Sequence, residues 1–527
     1  MTGGPNDPAA AQQTERTLDW ARLADVLQRD VHVIGVAGTE GAAIARFLAD
    51  QGARRLTLHD LAAEEDLEAE FKRQHVGLTA PARRDAFAAL LRLDATWRLG
   101  DAYLGGVDAA QVVFAPQAWY LYARNLAALG ALRARGVPFF GLMDLYFGLA
   151  AARIVAVTGS NGKSTTSRLI EHLLKASPHR VFYAGNERRS VQVLDALHAM
   201  SADDRLVLEV SNRHLIDLAP RPFIGVVTNV LPNHLDEHDG DFAAYAAVKR
   251  KAVAHIPPGG WAVLNADNDA TLAMATGLAA PIAWFSRRGE VDLGVWAEGG
   301  VIWERLTRGA TPERLASTDD VALPGAHNLE NALAAIAAAR LAGVPADAIS
   351  PAIRTFRGLR HRTQLVWATG GVRYFDDLNS TTPQATVAAL EALTTGPDDR
   401  SVVLLIGGDD KGLDTSALVD AIERHVRWLI VLPGPGGERI AANMQARAHA
   451  SSHGPAIERI DRLGDAVAAV VAGARPGETV LLSPACPYFF RRHYLDGGAE
   501  VGFRQLLRAA TGSAPEAPKA LPEDQSD

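Results

Sequence analysis

A glycine-rich turn followed by a lysine is the strongest chemical signal in the sequence. It reads Thr-Gly-Ser-Asn-Gly-Lys-Ser-Thr over 158–165, between an apolar run, Arg153–Thr158, and a helix predicted over Ser164–Ala176. Backbone N–H groups of such a turn and the helix N-terminus can hold phosphate, while the lysine reaches the terminal phosphates and the following serine a magnesium ion. The glycine lies four rather than six residues before the lysine, so the turn is a shortened variant of the general pattern. A turn that binds nothing is the alternative. We predict an ATP site formed by Gly159, Ser160, Asn161, Gly162, Lys163, Ser164 and Thr165.

Three residues after this loop could serve the same site. Glu209 follows an apolar run, His234 lies in a turn, and Lys249 lies on a helix predicted over Phe242–Ala254. Taken alone, a strand-end glutamate usually faces solvent or caps a helix, and a single histidine usually has an ordinary hydrogen-bonding role. In open parallel sheets, however, functional groups gather at the carboxyl ends of the strands. Glu209 and His234 are therefore candidate magnesium ligands.

Further polar motifs follow downstream, at 325–331, 358–362, 375–383, 407–411 and 483–486. The first, Gly-Ala-His-Asn-Leu-Glu-Asn, opens an alanine-rich helix and places Asn328 and Asn331 on one helical face. Their amides could hydrogen-bond a purine edge, but the spacing is equally compatible with a helix cap.

The elements that must position these residues alternate between short Val/Ile/Leu runs and longer segments of helical period. This βαβ pattern predicts an α/β fold with parallel sheets. Three such units occur in series, and we expect domains at 1–150 (Rossmann-like), 151–358 (a central P-loop ATPase domain) and 359–510 (Rossmann-like), followed by a disordered tail at 511–527. The first unit carries a G-x-x-G-x-x-G turn at 35–41, which differs from the dinucleotide pattern G-x-G-x-x-G.

Composition narrows the classes of function. The chain has 527 residues, 48% of them hydrophobic, and a net charge of −8, so it has no basic field for nucleic acid or anionic lipid. A single cysteine, Cys486, the absence of a signal peptide and the absence of a long apolar stretch favour a cytoplasmic protein that does not insert into a membrane. Only seven of the 53 basic residues are lysines. Lys163, Lys249 and Lys411 are therefore informative, because arginine supplies neither a compact ammonium nor an amine that readily loses its proton.

The order of these motifs resembles the Mur ligase family over about residues 31 to 510, through Thr-Gly-Ser-Asn-Gly-Lys-Ser, His-Asn-x-x-Asn-Ala, Gly-Gly-Asp-x-Lys and Ser-Pro-Ala-Cys. The resemblance implies a monomeric, ATP- and Mg²⁺-dependent amide ligase of peptidoglycan precursor synthesis. It would join glutamate to UDP-N-acetylmuramoyl-L-alanine through an acyl phosphate, and D-glutamate is the enantiomer that the resemblance favours. L-glutamate or another acceptor in a variant pathway is the alternative. From other classes, a catalytically inactive nucleotide-binding regulator and an NAD-dependent dehydrogenase remain as alternatives.

The resemblance also implies roles for individual residues. Lys163 would bind the ATP phosphates; Ser164, Glu209 and His234 would serve magnesium; and Lys249 would be N-carboxylated and support a second ion. His234 is also a candidate for deprotonating the attacking amine. Adenine would contact Asn328 and Asn331, and the C-terminal domain would close on the nucleotide through Arg362 and Asp377. The substrate residues implied are Thr39, Asp60, Asn186, Thr381 and Lys411, with Tyr488 as a further candidate.

Several positions depart from the family pattern. Two arginines follow Asn186 where small residues are usual, Asn379 stands where a lysine is usual, and Pro487-Tyr488-Phe489 replaces a small, serine-containing stretch. These departures fall on the substrate side of the predicted site, so the acceptor amino acid is left open.

Overall fold

The computed structural model describes residues 18–186, 191–232, 235–238, 240–396, 398–448, 454–487, 489, 495–496, 499–500 and 502–512. They form two compact units. The first unit comprises the described residues up to Asp320 together with Glu330–Arg354, and the second comprises Val321–Leu329 together with those from Thr355 onward.

The first unit begins with a five-stranded parallel sheet of order β3-β2-β1-β4-β5. Its strands are β1 (Asp30–Ile34), β2 (Arg55–Asp60), β3 (Thr96–Leu99), β4 (Val112–Phe114) and β5 (Phe139–Phe140). The accompanying helices are Trp20–Val26, Thr39–Asp50, Leu67–Gln74, Ala80–Leu91, Ala123–Ala134 and Leu142–Leu149. The strand order reverses between β1 and β4, and such a switch point opens a crevice at the carboxyl ends of the strands.

The same unit contains a nine-stranded sheet of order β14-β13-β12-β11-β10-β9-β6-β8-β7. The strands are β6 (Arg153–Thr158), β7 (Val181–Gly185), β8 (Arg205–Glu209), β9 (Ile224–Val227), β10 (Trp261–Asn265), β11 (Ile282–Ser286), β12 (Gly294–Glu298), β13 (Val301–Arg305) and β14 (Glu313–Ser317). All pairs from β7 to β12 are parallel, whereas β13 and β14 are antiparallel additions. The helices are Lys163–Leu174, Asn212–Asp217, Phe242–Ala254, Asp269–Met274 and Ala346–Ile353; a longer helix, Ala326–Leu341, begins in the second unit and continues in the first.

The two sheets of the first unit share one hydrophobic core. Phe47 on the helix after β1, Tyr146 on the helix Leu142–Leu149, and Leu208 of β8 all belong to the same buried cluster. This shared core explains why contacts divide the chain into two units although three sheets of α/β type are present. The domain boundaries near 150 and 358 stay a prediction.

The second unit is built on a six-stranded sheet of order β15-β16-β20-β17-β18-β19. Its strands are β15 (Gln364–Thr369), β16 (Val372–Asp376), β17 (Val402–Gly407), β18 (Val426–Val431), β19 (Ala456–Arg459) and β20 (Thr479–Ala485). Only β15 is antiparallel to its neighbour. The helices are Pro383–Leu393, Ser416–His425, Pro435–Ala448, Leu463–Gly473 and Phe503–Thr511, and a short ribbon pairs Leu495–Asp496 with Ala499–Glu500.

The predicted α/β fold with parallel sheets is confirmed. The two strands β15 and β16 form a hairpin, and in the sequence the two apolar runs that flank Gly370-Gly371 are the signal for it. Among the described residues, no helix combines the length and apolar character needed to cross a membrane. The predicted disordered tail falls almost wholly outside the described residues.

Candidate active site

The glycine-rich loop lies between β6 and the helix Lys163–Leu174, as the sequence predicts. Two of its residues have a backbone that only glycine adopts without strain: φ is +150° at Gly159 and +82° at Gly162. A Cβ on Gly159 would lie 1.9 Å from Oγ1 of Thr228, and one on Gly162 would lie 2.1 Å from Oδ1 of Asn331. Both glycines are therefore required by close packing as well as by conformation.

The end of β9 holds the loop in place. The N–H of Ser160 donates to the carbonyl of Asn229 at 2.9 Å, and the N–H of Asn161 donates to the Asn229 side chain at 2.9 Å. The hydroxyl of Thr228 donates to the carbonyl of Asn161 at 2.6 Å. Thr165 is buried in the first turn of the helix. The glycine-rich loop is thus shaped by contacts within the protein, a pre-formed arrangement typical of binding sites.

Two lysines converge on one carbonyl oxygen of the loop. Nζ of Lys163 donates to the carbonyls of Gly159 at 3.0 Å and Ser160 at 2.9 Å, and Nζ of Lys249 donates to the same Gly159 carbonyl at 3.0 Å. Lys249 is 1% exposed and its ammonium position lies 4.7 Å from the centre of the Tyr245 ring. Burial, and then the positive charge of Lys163, lower the pKa of Lys249 to about 6. Its amine is therefore mostly neutral at pH 7 and above.

Glu209 presents an unsatisfied carboxylate oxygen beside the loop. It ends β8, in register with Val157 of β6, and is 2% exposed. Oε1 accepts from Nδ2 of Asn186 at 3.1 Å, whereas Oε2 is buried without a hydrogen-bond partner among the described residues. A buried, partnerless carboxylate oxygen is costly unless a cation or donor binds it. The residue therefore fits the hard, oxygen-ligated Mg²⁺.

The other predicted metal ligands are only partly described. Ser164 is buried in the first helical turn, next to Lys163. His234 lies outside the described residues. Within the described part of the chain, no group of three His, Cys, Asp or Glu side chains is placed to hold a metal. The metal roles of these residues stay predictions.

The two asparagines of the predicted adenine motif have separate surroundings. Asn331, in the first unit, accepts a hydrogen bond from Oγ1 of Thr166 at 3.3 Å and packs against Gly162. Asn328, in the second unit, donates from Nδ2 to the carbonyl of Pro324 at 2.7 Å. The contact between Asn331 and the loop was not foreseen from the spacing, because helical periodicity says nothing about a partner 165 residues away.

Thr39 and Asp60 lie near the carboxyl ends of the adjacent strands β1 and β2. Asp60 is 6% exposed, and its carboxylate accepts from the N–H groups of Ala37 at 2.7 Å and Ala62 at 2.9 Å. Burial raises the pKa of Asp60, and the backbone hydrogen bonds oppose that shift. Thr39 is the first residue of its helix and is half-buried. Asp60 thus ties the glycine turn to β2, and its predicted substrate role stays a prediction.

In the second unit, Asp377 is a buried hydrogen-bond centre. It accepts from the N–H of Thr363 at 2.9 Å and from the hydroxyl of Ser483 at 2.7 Å. Burial raises the pKa of Asp377 to about 6, against the effect of its hydrogen bonds. Arg362 is exposed on the preceding loop. Their contacts with a nucleotide stay a prediction.

Thr381 and Lys411 line one pocket of the second unit, together with Asp409, Arg439 and Cys486. The sequence reasoning missed Arg439, which lies on the helix Pro435–Ala448 and donates from Nε and Nη2 to the carboxylate of Asp410 at 2.7 and 2.8 Å. The glycines at 434, 436 and 437, which follow β18 in the sequence, were the available signal for a second functional segment at this edge of the sheet. Tyr488 lies outside the described residues.

The fold and the loop define a nucleotide-binding α/β enzyme. Two family descriptions match the chain: the Mur ligase middle domain over residues 157–339 and the Mur ligase, glutamate ligase domain over residues 361–486. The UDP-N-acetylmuramoylalanine–D-glutamate ligase of Pelotomaculum thermopropionicum is 34% identical over 88% of this chain and 94% of its own length. That of Symbiobacterium thermophilum is 33% identical over 92% and 98%.

Solved structures share the fold. The UDP-N-acetylmuramate-alanine ligase MurC of Thermotoga maritima has a TM-score of 0.55 at 15% identity, over 87% of this chain and 96% of its own. The MurF ligase of the same organism in complex with ADP has a TM-score of 0.50 at 19% identity, over 81% and 93%. The chain belongs to the Mur ligase family. It is an ATP-dependent ligase of peptidoglycan precursor synthesis, in a family that uses ATP and Mg²⁺.

Proposed function

We propose that this ligase joins glutamate to UDP-N-acetylmuramoyl-L-alanine, with D-glutamate as the expected acceptor. The observation that carries the proposal is the similarity, over about nine-tenths of the chain, to relatives named as D-glutamate ligases. The pocket that contains Lys411 and Thr381 supports it, because an ammonium and a hydroxyl can bind the carboxylates of an acidic amino acid.

The reaction would proceed through an acyl phosphate. An oxygen of the alanyl carboxylate attacks the γ-phosphorus of ATP and ADP leaves; the amine of glutamate then attacks the carbonyl carbon, phosphate leaves, and the amine loses a proton. Lys163 would bind the phosphate oxygens from the loop, and Ser164 and Glu209 would hold Mg²⁺ together with His234. When bound, Mg²⁺ offsets the negative charge that gathers on the transferred phosphoryl group. His234 is our candidate for accepting the amine proton.

Lys249 would act as a carbamate. A neutral Nζ adds carbon dioxide, an N–C bond forms, and one proton leaves, so the buried neutral amine becomes a negatively charged carbamate. The low pKa and the deep burial of Lys249 support this step, because only the neutral amine is nucleophilic. The resulting negative charge would help to hold a second Mg²⁺ and would offset the charge of Lys163.

The remaining assignments follow from the same proposal. The uridine diphosphate end of the substrate would bind at the glycine turn near Thr39 and Asp60, and the muramoyl end near Asn186. Adenine would contact Asn328 and Asn331, with Arg362 and Asp377 approaching the nucleotide from the second unit. We expect a monomer that works in the cytoplasm, where its soluble substrates would be found.

The test is phosphate release from ATP and Mg²⁺ with UDP-N-acetylmuramoyl-L-alanine, comparing D-glutamate, L-glutamate and a panel of other amino acids. We expect release that depends on D-glutamate, and a product mass that corresponds to the new amide. The variant Lys163→Arg should lose this activity because the planar guanidinium cannot replace a compact ammonium, whereas Lys251→Arg on the helix Phe242–Ala254 is the matched control. A preference for L-glutamate would change the acceptor, and background release with every acceptor would overturn the proposal.

A further inference from the structure

A chain of side-chain hydrogen bonds crosses the first unit and ends on Glu209. Gln117 follows β4 of the five-stranded sheet, whereas Asn186 follows β7 of the nine-stranded sheet. Nε2 of Gln117 donates to Oδ1 of Asn186 at 2.6 Å, and Nδ2 of Asn186 donates to Oε1 of Glu209 at 3.1 Å. The two sheets are therefore joined by an amide pair directly behind the carboxylate of Glu209.

The direction of every bond in this chain is set by its chemistry. An ionised carboxylate only accepts, so Asn186 must turn its Nδ2 toward Glu209 and its Oδ1 toward Gln117. Gln117 must then present Nε2 to Asn186, which leaves its Oε1 to accept from the hydroxyl of Ser211. If both amides were reversed, Oδ1 of Asn186 would face the carboxylate of Glu209, and two acceptors would meet there without a proton between them.

The end of this hydrogen-bond chain that lies away from Glu209 is also fixed by hydrogen bonds. His214 donates its backbone N–H to Oγ of Ser211 at 3.2 Å, and its Nδ1 accepts from the Ser211 N–H at 3.2 Å. Since Nδ1 accepts, a neutral His214 carries its proton on Nε2, which donates to Oε1 of Glu40 at 3.2 Å. Glu40 lies in the first turn of the helix after β1, so the chain extends from the glycine turn of one sheet to the strand end of the other.

We propose that Gln117 is a positioning residue: through Asn186 it binds Oε1 of Glu209, so that Oε2 is the oxygen left for Mg²⁺. Oε2 of Glu209 is buried and has no hydrogen-bond partner in the described part of the protein, and this observation links the hydrogen-bond chain to a cation. The inference rests on the proposed metal role of Glu209. Removing Gln117 would leave Asn186 free to rotate, and Glu209 would lose the bond that selects one of its two oxygens.

The variant Gln117→Glu replaces the donor at position 117 by an acceptor, with almost no change in the shape of the side chain. A carboxylate at 117 cannot donate to Oδ1 of Asn186, so either two acceptors face each other there, or Asn186 rotates and turns Oδ1 toward Glu209. Both arrangements oppose the observed position of Glu209. We expect Mn²⁺ binding to the ADP-bound enzyme, measured by electron paramagnetic resonance, to weaken by about tenfold, the effect of losing one charge-assisted hydrogen bond. Gln28→Glu, at an exposed position of the same unit, is the matched charge control and should leave Mn²⁺ binding unchanged.

A second variant at position 117 keeps the proposal testable if Gln117→Glu does not fold. Gln117→Met keeps the length of the side chain and removes both polar groups, so a few-fold weakening is expected. Asn186→Asp removes the donor to Glu209 directly, and combining it with either change at 117 should add little, because both act through the same bond. Additive losses in the double variant, or wild-type Mn²⁺ binding in folded Gln117→Glu and Gln117→Met, would overturn the positioning role.

Failure of the proposed metal role has a different signature. Glu209→Gln should weaken Mn²⁺ binding more than any change at Gln117. If Glu209→Gln binds Mn²⁺ as the wild type does, the metal assignment itself is wrong. If only Glu209→Gln is impaired while folded Gln117 variants bind normally, the metal assignment stands and the positioning role of Gln117 is refuted.

Discussion

Carbon dioxide is expected to add to Lys249 at neutral pH, with a pH dependence that reports its lowered pKa. The ordinary pKa of lysine is 10.5, and that of Lys249 is about 6. At pH 7.4 the neutral fraction of an ordinary lysine is below about 0.1%, whereas that of Lys249 is above about 90%, a difference of roughly a thousandfold. Lys249 should therefore carry a carbamate under conditions in which exposed lysines do not.

The slope of the titration distinguishes the two cases. Carbamate formation consumes a neutral amine and releases one proton. We consider the ratio of carbamate to unmodified lysine, counting the neutral amine and the ammonium together, at a fixed concentration of dissolved carbon dioxide. This ratio rises about tenfold per pH unit above the pKa of the lysine and about a hundredfold per pH unit below it. For Lys249 the change in slope should fall near pH 6, so tenfold steps are expected between pH 7 and pH 9. An ordinary lysine would show hundredfold steps over that range.

The measurement is the carbamate signal in ¹³C NMR of the protein equilibrated with ¹³C-labelled carbon dioxide, without Mg²⁺. Lys249→Arg should remove the signal because a guanidinium does not form the carbamate. Lys251→Arg, two residues along the same helix, should keep it. Steps of a hundredfold per unit between pH 7 and pH 9, or a signal that survives in Lys249→Arg, would refute the reasoning from burial.

Three further predictions follow from the same structure. Gly162→Ala should lose ATP binding in calorimetry, because the new Cβ would lie 2.1 Å from Oδ1 of Asn331. The control is Gly259→Ala, which has the same φ of +82° but open space around it; it should lose only about 1 kcal/mol of stability and bind ATP normally. Equal ATP binding by the two variants would contradict this prediction. The folded pKa of Asp377 is about 6 and its ordinary value 3.8. The wild type should therefore lose about 2 kcal/mol of unfolding free energy relative to Asp377→Asn as the pH rises from 4 to 6. A constant difference between the two proteins in denaturant titrations would show that burial does not raise this pKa. Burial raises the pKa of Cys486 to about 12. The thiol of the native protein should therefore resist alkylation by iodoacetamide at pH 8 and react after denaturation, which mass spectrometry would detect. Fast alkylation of the native thiol would contradict its burial.

Helix and strand bounds could be predicted from the sequence where the hydrophobic pattern of one segment is enough to define them. The strand Arg153–Thr158 and the helix Phe242–Ala254 have the bounds that the pattern predicts. The helix after the glycine-rich loop is predicted over Ser164–Ala176, whereas the structure has it over Lys163–Leu174. Helix ends depend on capping contacts that periodicity does not contain.

What the sequence by itself determined is the class of fold, the position of the glycine-rich loop and the set of side chains capable of chemistry, because glycine turns and apolar periods are properties of a few neighbouring residues. Only the tertiary structure decided what those side chains can do. The pKa of Lys249 depends on its burial against a carbonyl 90 residues away. One oxygen of the Glu209 carboxylate accepts from Asn186, which in turn accepts from Gln117, a residue that follows a strand of another sheet. Desolvation and hydrogen-bond polarity are properties of neighbours in space, and those neighbours are chosen by the packing of distant segments.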